Sequence, residues 1–387
     1  MAWDDLIGQS DAITTVRAAA EGGAALTHSW LITGPPGSGR STLAYAFAAA
    51  LLARPGDEAA TEAQVAARTH PDLGVLSTER VLISIEEVRQ LVASSQYSPS
   101  VGRYRVMVIE DADRMTERTS NVLLKALEEP PERTVWILCA PSEADLIPTI
   151  RSRVRSVRLR VPSVDDVAEL ISRRDGISLP EATRAAREAQ SHIGMAHRLA
   201  TNEQARARRA RTLQLALGIR SVSGAVIAAA ELIEVAGDDA KAITEERDAE
   251  ERESALRSLG IEAGGTIPPA LRAQLKALED DQKRRATRSL RDGLDRILVD
   301  LLSLYRDILL LQLGVEVEPV NLAIYSELAA AARLATPART LETLDAIAEA
   351  RIRIEGNVAP ALALEAVLVS AVRNPETVPA SSGKDTL

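Results

Sequence analysis

Aromatic residues are scarce: Phe, Trp and Tyr make up 2% of the 387 residues, with a single Phe. Rows of rings that stack single-stranded bases are hard to build from so few, which excludes recognition of the RRM or OB type. Cysteine is scarcer still. Cys139 stands alone, so no internal disulfide and no multi-cysteine zinc site is available, and a reducing cytoplasm is the expected compartment. The longest wholly apolar run, Leu43 to Ala53, has eleven residues, against the roughly 20 of a membrane-spanning helix. The opening residues include Asp4 and Asp5, acid where a signal peptide carries base. Neither a membrane span nor an export signal is read. Positive charge is also lacking: the formal net charge of −9 argues against a protein that grips nucleic acid alone by neutralising phosphates, so any DNA contact is expected to be shared with partners.

What remains is an ordinary globular balance of 46% hydrophobic and 26% charged residues, and a length that predicts two to three domains. Residues 1 to about 162 mix short β-branched runs with helical stretches, whereas the later chain reads as helix upon helix. Four buried strands are predicted, at Ser29 to Thr33, Gly74 to Leu76 with Leu82 and Ile83, Arg105 to Ile109, and Val135 to Ala140. Their alternation with helices predicts a parallel sheet covered on both faces. Ser84 and Glu87 form a capping box ahead of Ile85, Val88, Leu91 and Val92. Residues 163–203 carry three short helical patterns, broken near Asp175 to Pro180 and at Gly194, a size suited to a small lid. Residues 204–373 carry long amphipathic helices, the clearest with Leu294, Ile297, Leu298, Leu301, Tyr305, Ile308 and Leu309 on one stripe. The stretch 238–270 reads as an exposed helical excursion with a Gly/Pro turn, and 374–387 as a disordered tail. No internal repeat is visible.

The strongest motif is the run Gly34, Pro35, Pro36, Gly37, Ser38, Gly39, Arg40, Ser41, followed by Thr42, between a strand candidate and an alanine-rich helix. It has the frame of a P-loop, in which backbone N–H groups and a helix N-terminus surround phosphates, a Lys reaches the outer oxygens and a hydroxyl ligates Mg²⁺. Here Arg40 replaces the Lys, and its planar fork cannot fill the slot of a compact ammonium in the same way. The run fits either a nucleotide site or a glycine-rich turn that no longer uses nucleotide. A second motif, Val106 to Asp113, is an apolar strand ending in Glu110 and Asp111, the position of metal-binding and water-activating carboxylates beside a P-loop. The usual order is Asp then Glu; the reverse order shifts both groups by a methylene, and errors near 1 Å cost about a hundredfold in rate. Without the P-loop, an exposed acidic strand end would explain the pair. Lys283, Arg284, Arg285, Arg288 and Arg291 form a basic helical patch directly after Glu279, Asp280 and Asp281, read as a subunit interface or solvated face rather than a DNA site.

Asn121 to Pro131, which reads Asn-Val-Leu-Leu-Lys-Ala-Leu-Glu-Glu-Pro-Pro, is followed about twenty residues later by Thr149, Ile150, Arg151, Ser152 and Arg153. This pairing resembles the clamp-loader branch of the AAA+ ATPases. With His28-Ser-Trp30, His70-Pro-Asp72 and the run from Gln282 through Leu311, the chain is similar to the delta-prime family of bacterial DNA polymerase III subunits. The resemblance spans nearly the whole chain and is strongest from 25 to 160.

The resemblance implies a RecA-like AAA+ P-loop domain with a parallel sheet (1–162), a small helical lid (163–203) and an all-α collar (204–373) that joins subunits into a hetero-pentamer. The partners it implies are the gamma/tau ATPase and delta subunits, with the sliding clamp and primed DNA engaged through the complex. It further implies that Arg153, supported by Ser152, serves in trans as an arginine finger on a neighbour's ATP. By its residues alone Arg153 belongs to the basic run Arg151, Arg153, Arg155, Arg158 and Arg160, an ordinary solvated face. Four departures from the family pattern stand out. Residues 54–69 lack the cysteines that hold zinc in many relatives, so no zinc is expected and His70 is read as a turn residue. Ala140 stands where a polar γ-phosphate sensor is usual. His197 sits at the spacing of the lid sensor, with Arg198 one residue late. Val154 follows the Ser-Arg pair in place of Cys. The expectation is a mainly structural subunit of a DNA polymerase holoenzyme, not itself a polymerase, with a degenerate ATP site; the alternative is an active or nucleotide-binding AAA+ motor.

Overall fold

The computed structural model describes residues 2–22, 26–78, 81–258, 269–356 and 358–372. The chain divides into two compact units, Met1–Thr201 and Asn202–Leu387.

The first unit is built on five parallel strands: β1 (Ser29–Thr33), β2 (Leu73–Leu76), β3 (Arg105–Ile109), β4 (Thr134–Ala140) and β5 (Arg155–Arg158). Their order across the sheet is β2-β3-β4-β1-β5, with β1 central between β4 and β5 in the registers Ile32↔Cys139 and Ile32↔Val157. Side chains alternate across a strand, and every face is used. Trp30, Ile32, Val108, Ile137 and Val157 pack with Val16 of α1 (Ser10–Ala20) and with Leu43, Phe47 and Leu51 of α2 (Arg40–Leu52). Leu31, Met107, Ile109, Trp136 and Leu138 pack on the other face against α4 (Ile85–Ser95), α5 (Glu117–Glu128) and α6 (Pro148–Arg151). Between α2 and β2 lies α3 (Glu58–Ala66).

The strand predicted to extend to Leu82 and Ile83 stops at Leu76; Ile83 makes only a single bridge, to Met115. The capping box before α4 is present, with the Ser84 hydroxyl accepting from the Glu87 N–H and the Glu87 carboxylate accepting from the Ser84 N–H. Edge strand β5 was absent from the sequence reading. Three helices follow: α7 (Val164–Asp175), α8 (Leu179–Glu188) and α9 (Ile193–Thr201). The second break falls at Gln190 and Ser191, both in the left-handed region, rather than at Gly194, which lies inside α9.

The second unit is all helical: α10 (Glu203–Gly218), α11 (Val222–Ser258), α12 (Pro269–Gln312), α13 (Tyr325–Ala332), α14 (Pro337–Glu355) and α15 (Pro360–Ser370). Leu294, Leu298, Leu301 and Tyr305 of the predicted stripe are buried against Leu232, Leu328, Ile347 and Leu364, while Leu309 is half-buried. A polar knot ties α10 to α12 and to the turn before α13. Buried Arg209 donates to Asp300 at 3.0 Å and to the Asn321 Oδ1 at 2.6 Å, and Asn321 in turn donates to Asp307 and Ser303. Asp238 to Glu253 continue α11 without a break; the Gly/Pro turn predicted over 260–269 lies outside the described residues except for Pro269, which opens α12, and the predicted tail 374–387 lies outside them altogether. Among the described residues no helix is long and apolar enough to cross a membrane.

Candidate functional site

The glycine-rich run is the loop between β1 and α2. Gly39 caps α2 at φ +95° and Gly37 sits at φ +77°, left-handed geometry that a side chain strains. Gly37 has a second constraint: a Cβ there would fall 2.3 Å from the His192 ring, and the Ile193 N–H donates to the Gly37 carbonyl at 3.3 Å. The start of α9 is therefore seated on the loop. Pro35 is half-buried, Pro36 is exposed and Ser38 is buried beneath the loop. Ser41 and Thr42 lie half-buried in the first turn of α2. Beside Pro35 opens a cleft of about 740 Å³ whose walls include Gly8, Ala12, Pro141, Leu159 and Val161. Gln9 pins one wall to another, its side chain donating to the Arg160 carbonyl at 2.8 Å and accepting from the Arg160 N–H at 3.0 Å.

Arg40 turns back on the loop and donates to the Gly34 carbonyl at 3.0 Å. Ser41 donates to one oxygen of Glu110 at 3.3 Å. The other oxygen of Glu110 accepts from the Tyr45 hydroxyl and from Arg68 Nη2, the latter at 2.9 Å. Burial, reinforced by the Glu110 bond, pushes the Tyr45 phenol far above its ordinary value, so it stays a donor. Asp111 turns aside in the left-handed region and pairs with Arg114 at 3.5 Å. Burial, then the neighbouring charge of Asp111, raises the carboxyl of Asp113. At the end of β4, burial pushes the Cys139 thiol up to about 12, which leaves it inert as a nucleophile.

His197 is held by Asp175, its Nδ1 lying 2.7 Å from the carboxylate. Burial alone would raise the Asp175 carboxyl, but bonds from Arg174 and His197 hold it below the ordinary range. His70 is a turn residue: its Nδ1 accepts from the Asp72 N–H at 3.1 Å, and burial lowers its pKa. Asp72 is fully buried and accepts from the N–H groups of Ser100, Val101 and Gly102, each at 2.7 Å, and from Arg105 at 3.3 Å. Burial would raise its carboxyl; those donors overcome it and hold it low.

Ser152 and Arg153 lie between α6 and edge strand β5. Arg153 donates through Nε to Glu128 at 2.6 Å and through Nη1 to the Thr149 carbonyl at 2.7 Å and the Ser152 hydroxyl at 2.9 Å, and its Nη2 also meets Glu128. The pair stays at the surface, its side chains 33% and 45% exposed, on a cleft of about 430 Å³ that also includes His28, Pro130 and Arg155. The structure thus gathers Gly34 to Thr42 with Glu110 in one place and Ser152 with Arg153 in another.

Sequence reading missed Tyr45, Arg68, Glu128 and His192. Tyr45 carried a usable signal, since it lies four residues after Ser41 and so on the same helical face. Arg68 and His192 arrive through turns whose path no periodicity announces.

A chemical fit follows from this donor set. The loop backbone has the frame for phosphate and the Ser41 oxygen keeps its lone pairs, whereas the Glu110 carboxylate beside it, which a Mg²⁺ ion would draw on, already accepts from Ser41, Tyr45 and Arg68.

Comparison with known proteins adds the following. The profile of the family described as DNA polymerase III, delta subunit, covers residues 8–163. The DNA polymerase III subunit delta' of Pseudomonas aeruginosa is 35% identical over 154 residues, 38% of this chain and 47% of that protein. The DNA polymerase III subunit gamma of Buchnera aphidicola is 30% identical over 174 residues, 43% of this chain and 47% of that protein. A gamma subunit-related protein of DNA polymerase III from Thermotoga maritima superposes with a TM-score of 0.45 at 18% identity, over 93% of this chain and 98% of that one. The chain spans less than half the length of these two curated relatives.

Proposed function

The chain belongs, through residues 8–163, to the delta-prime and gamma/tau family of DNA polymerase III clamp-loader subunits, and from that premise we propose that it is a delta-prime subunit with a structural rather than a motor role. In this reading it stands in the cytoplasm in a hetero-pentamer with gamma/tau and delta subunits. The assembly loads a sliding clamp onto primed DNA, and Arg153 of this chain reaches a neighbour's ATP. Unit 1 supplies the nucleotide-type domain and its lid, and the helices from 204 to 373 supply the collar. No zinc and no nucleotide of its own are required.

The observation that carries the reading is the contrast between the two arginine-bearing sites. Glu110 has its carboxylate engaged by Ser41, Tyr45 and Arg68, and Asp111 turns aside to Arg114, an arrangement that supports a loop without turnover. Arg153 remains at the surface at the end of α6, where another subunit can reach it. A finger of this kind stabilises charge developing on the transferred phosphoryl group. The test is Arg153→Ala in a reconstituted clamp loader: clamp-stimulated ATP turnover by the gamma/tau subunits falls, and normal turnover and loading would contradict the proposal.

A second reading, nucleotide held without turnover, is favoured by the open cleft beside Pro35. Titration of the isolated chain with labelled ATP decides it, saturable binding without turnover being its signature.

A further inference from the structure

Mg²⁺ beside a P-loop is held by oxygen donors at about 2.0–2.1 Å in near-octahedral geometry, usually with waters and phosphate completing the shell. In this chain the oxygens available for that task are the Ser41 hydroxyl and the Glu110 carboxylate. We infer that the guanidinium of Arg68 takes the place of the divalent cation there, so that the phosphate loop of this chain is metal-independent by construction. The inference rests on the reading of the chain as a non-motor subunit only in that the loop performs no turnover.

Geometry carries it. Glu110 is 15% exposed and Arg68 50%, and the two Glu110 oxygens accept three hydrogen bonds, from Ser41, Tyr45 and Arg68. Ser41 and Tyr45 stand four apart on α2, one above the other, and so bracket the carboxylate. The Arg68 guanidinium lies 5.3 Å from the centre of the Tyr45 ring as well as on Glu110, so it is held by a charge on one side and a π face on the other. Its charge is permanent. A divalent ion drawing on Glu110 would have to compete with the Tyr45 and Arg68 bonds and then sit beside a fixed positive charge.

The backbone shows that the side chain at 68 is there for a reason. Arg68 N–H donates to the Val65 carbonyl and Thr69 N–H to the Gln64 carbonyl, the paired bonds of a Schellman motif that ends α3. Arg68 occupies the left-handed position of that motif at φ +57°, where glycine is the comfortable residue. Just beyond, Asp72 accepts from the Ser100 to Gly102 amides and its own N–H donates to His70 Nδ1. The arginine is thus delivered to Glu110 from a rigid anchor, at a backbone angle that a side chain makes costly.

The same angle supplies a clean test. Arg68→Gly suits the turn and removes the cation without straining the fold; Arg68→Ala is the second variant. The full chain is titrated with Mn²⁺, alone and with ADP, and bound metal is read by electron paramagnetic resonance. The natural chain should show no protein-bound Mn²⁺ beyond that of Mn²⁺ with ADP in buffer. Arg68→Gly should gain at least about tenfold in Mn²⁺ affinity, and Glu110→Gln added to it should abolish the gain. Tight Mn²⁺ binding by the natural chain, or no gain in either Arg68 variant, overturns the inference. Because the readout is metal on the isolated chain, its failure is separate from failure of the Arg153 reading, which is measured as turnover in the assembly.

Discussion

Two arginines meet two glutamates in the first unit, and the two pairs behave as opposites. Arg68 meets Glu110 in a half-enclosed cluster with a phenol and a hydroxyl, anchored through a helix-ending turn. Arg153 meets Glu128 at the surface, with 33% and 45% of the side chains exposed. Exposed ion pairs contribute up to about 1 kcal/mol; in the proposed function the second pair exchanges its carboxylate for a phosphate, whereas in the first three donors converge on one acid. The difference lies in the acids rather than the arginines: Glu110 is 15% exposed and Glu128 45%, while Arg68 at 50% is no more enclosed than Arg153 at 33%.

The largest effect that would sharpen this contrast is Arg153→Lys. Lysine keeps the charge but cannot span Glu128, Thr149 and Ser152 with one planar fork. Neighbour ATP turnover in the reconstituted assembly is expected to fall on the order of 10², below the roughly 10³ to 10⁵ of an arginine finger because the charge is kept; full activity with Lys would mean that charge alone suffices. Next in size is Asp72→Asn, which replaces one of the two accepting oxygens that bind the Ser100 to Gly102 amides with an N–H donor. Thermal or denaturant unfolding should show a loss of roughly 3 kcal/mol, the scale for breaking a buried, charge-assisted network. A change below about 0.5 kcal/mol would show that Arg68 is held without this anchor.

The same anchor gives a pH dependence of fixed sign. The Asp72 carboxyl and the His70 imidazole both have lowered values in the fold. Their contributions are present above the unfolded values, about 3.9 for Asp and 6.5 for His. They are lost as pH falls through the lower folded values. Unfolding profiles of Asp72→Asn and His70→Asn should therefore flatten on the acid side. The smallest effect is expected of Glu128→Gln, which weakens the surface latch: neighbour turnover should rise by no more than about fivefold, the equivalent of an exposed pair. A collapse of turnover would instead make Glu128 a required positioning residue.

Much of the core architecture was legible, and the reasons differ by element. β1, β3 and β4 are continuous apolar runs because both faces of a covered parallel sheet are buried. β5 escaped because it is an edge strand whose Arg155, Ser156 and Arg158 point outward while only Val157 is buried, so its composition is that of a solvated loop. The glycine frame and the acidic strand end were readable because their spacing is local. What closes the acidic end was not: Tyr45 and Arg68 reach Glu110 across 65 and 42 residues of sequence. The break between α8 and α9 was misplaced because Gly194 is the obvious punctuation, whereas Gln190 and Ser191 adopt the left-handed backbone.

β5 has one more consequence. It is the last strand on its side of the sheet, the position at which copies of a protein can add strand to strand and aggregate. Arginines at 155 and 158, followed by Arg160, line that border. A second molecule approaching edge-on would bring like charge against like charge, which disfavours strand-to-strand addition at this border.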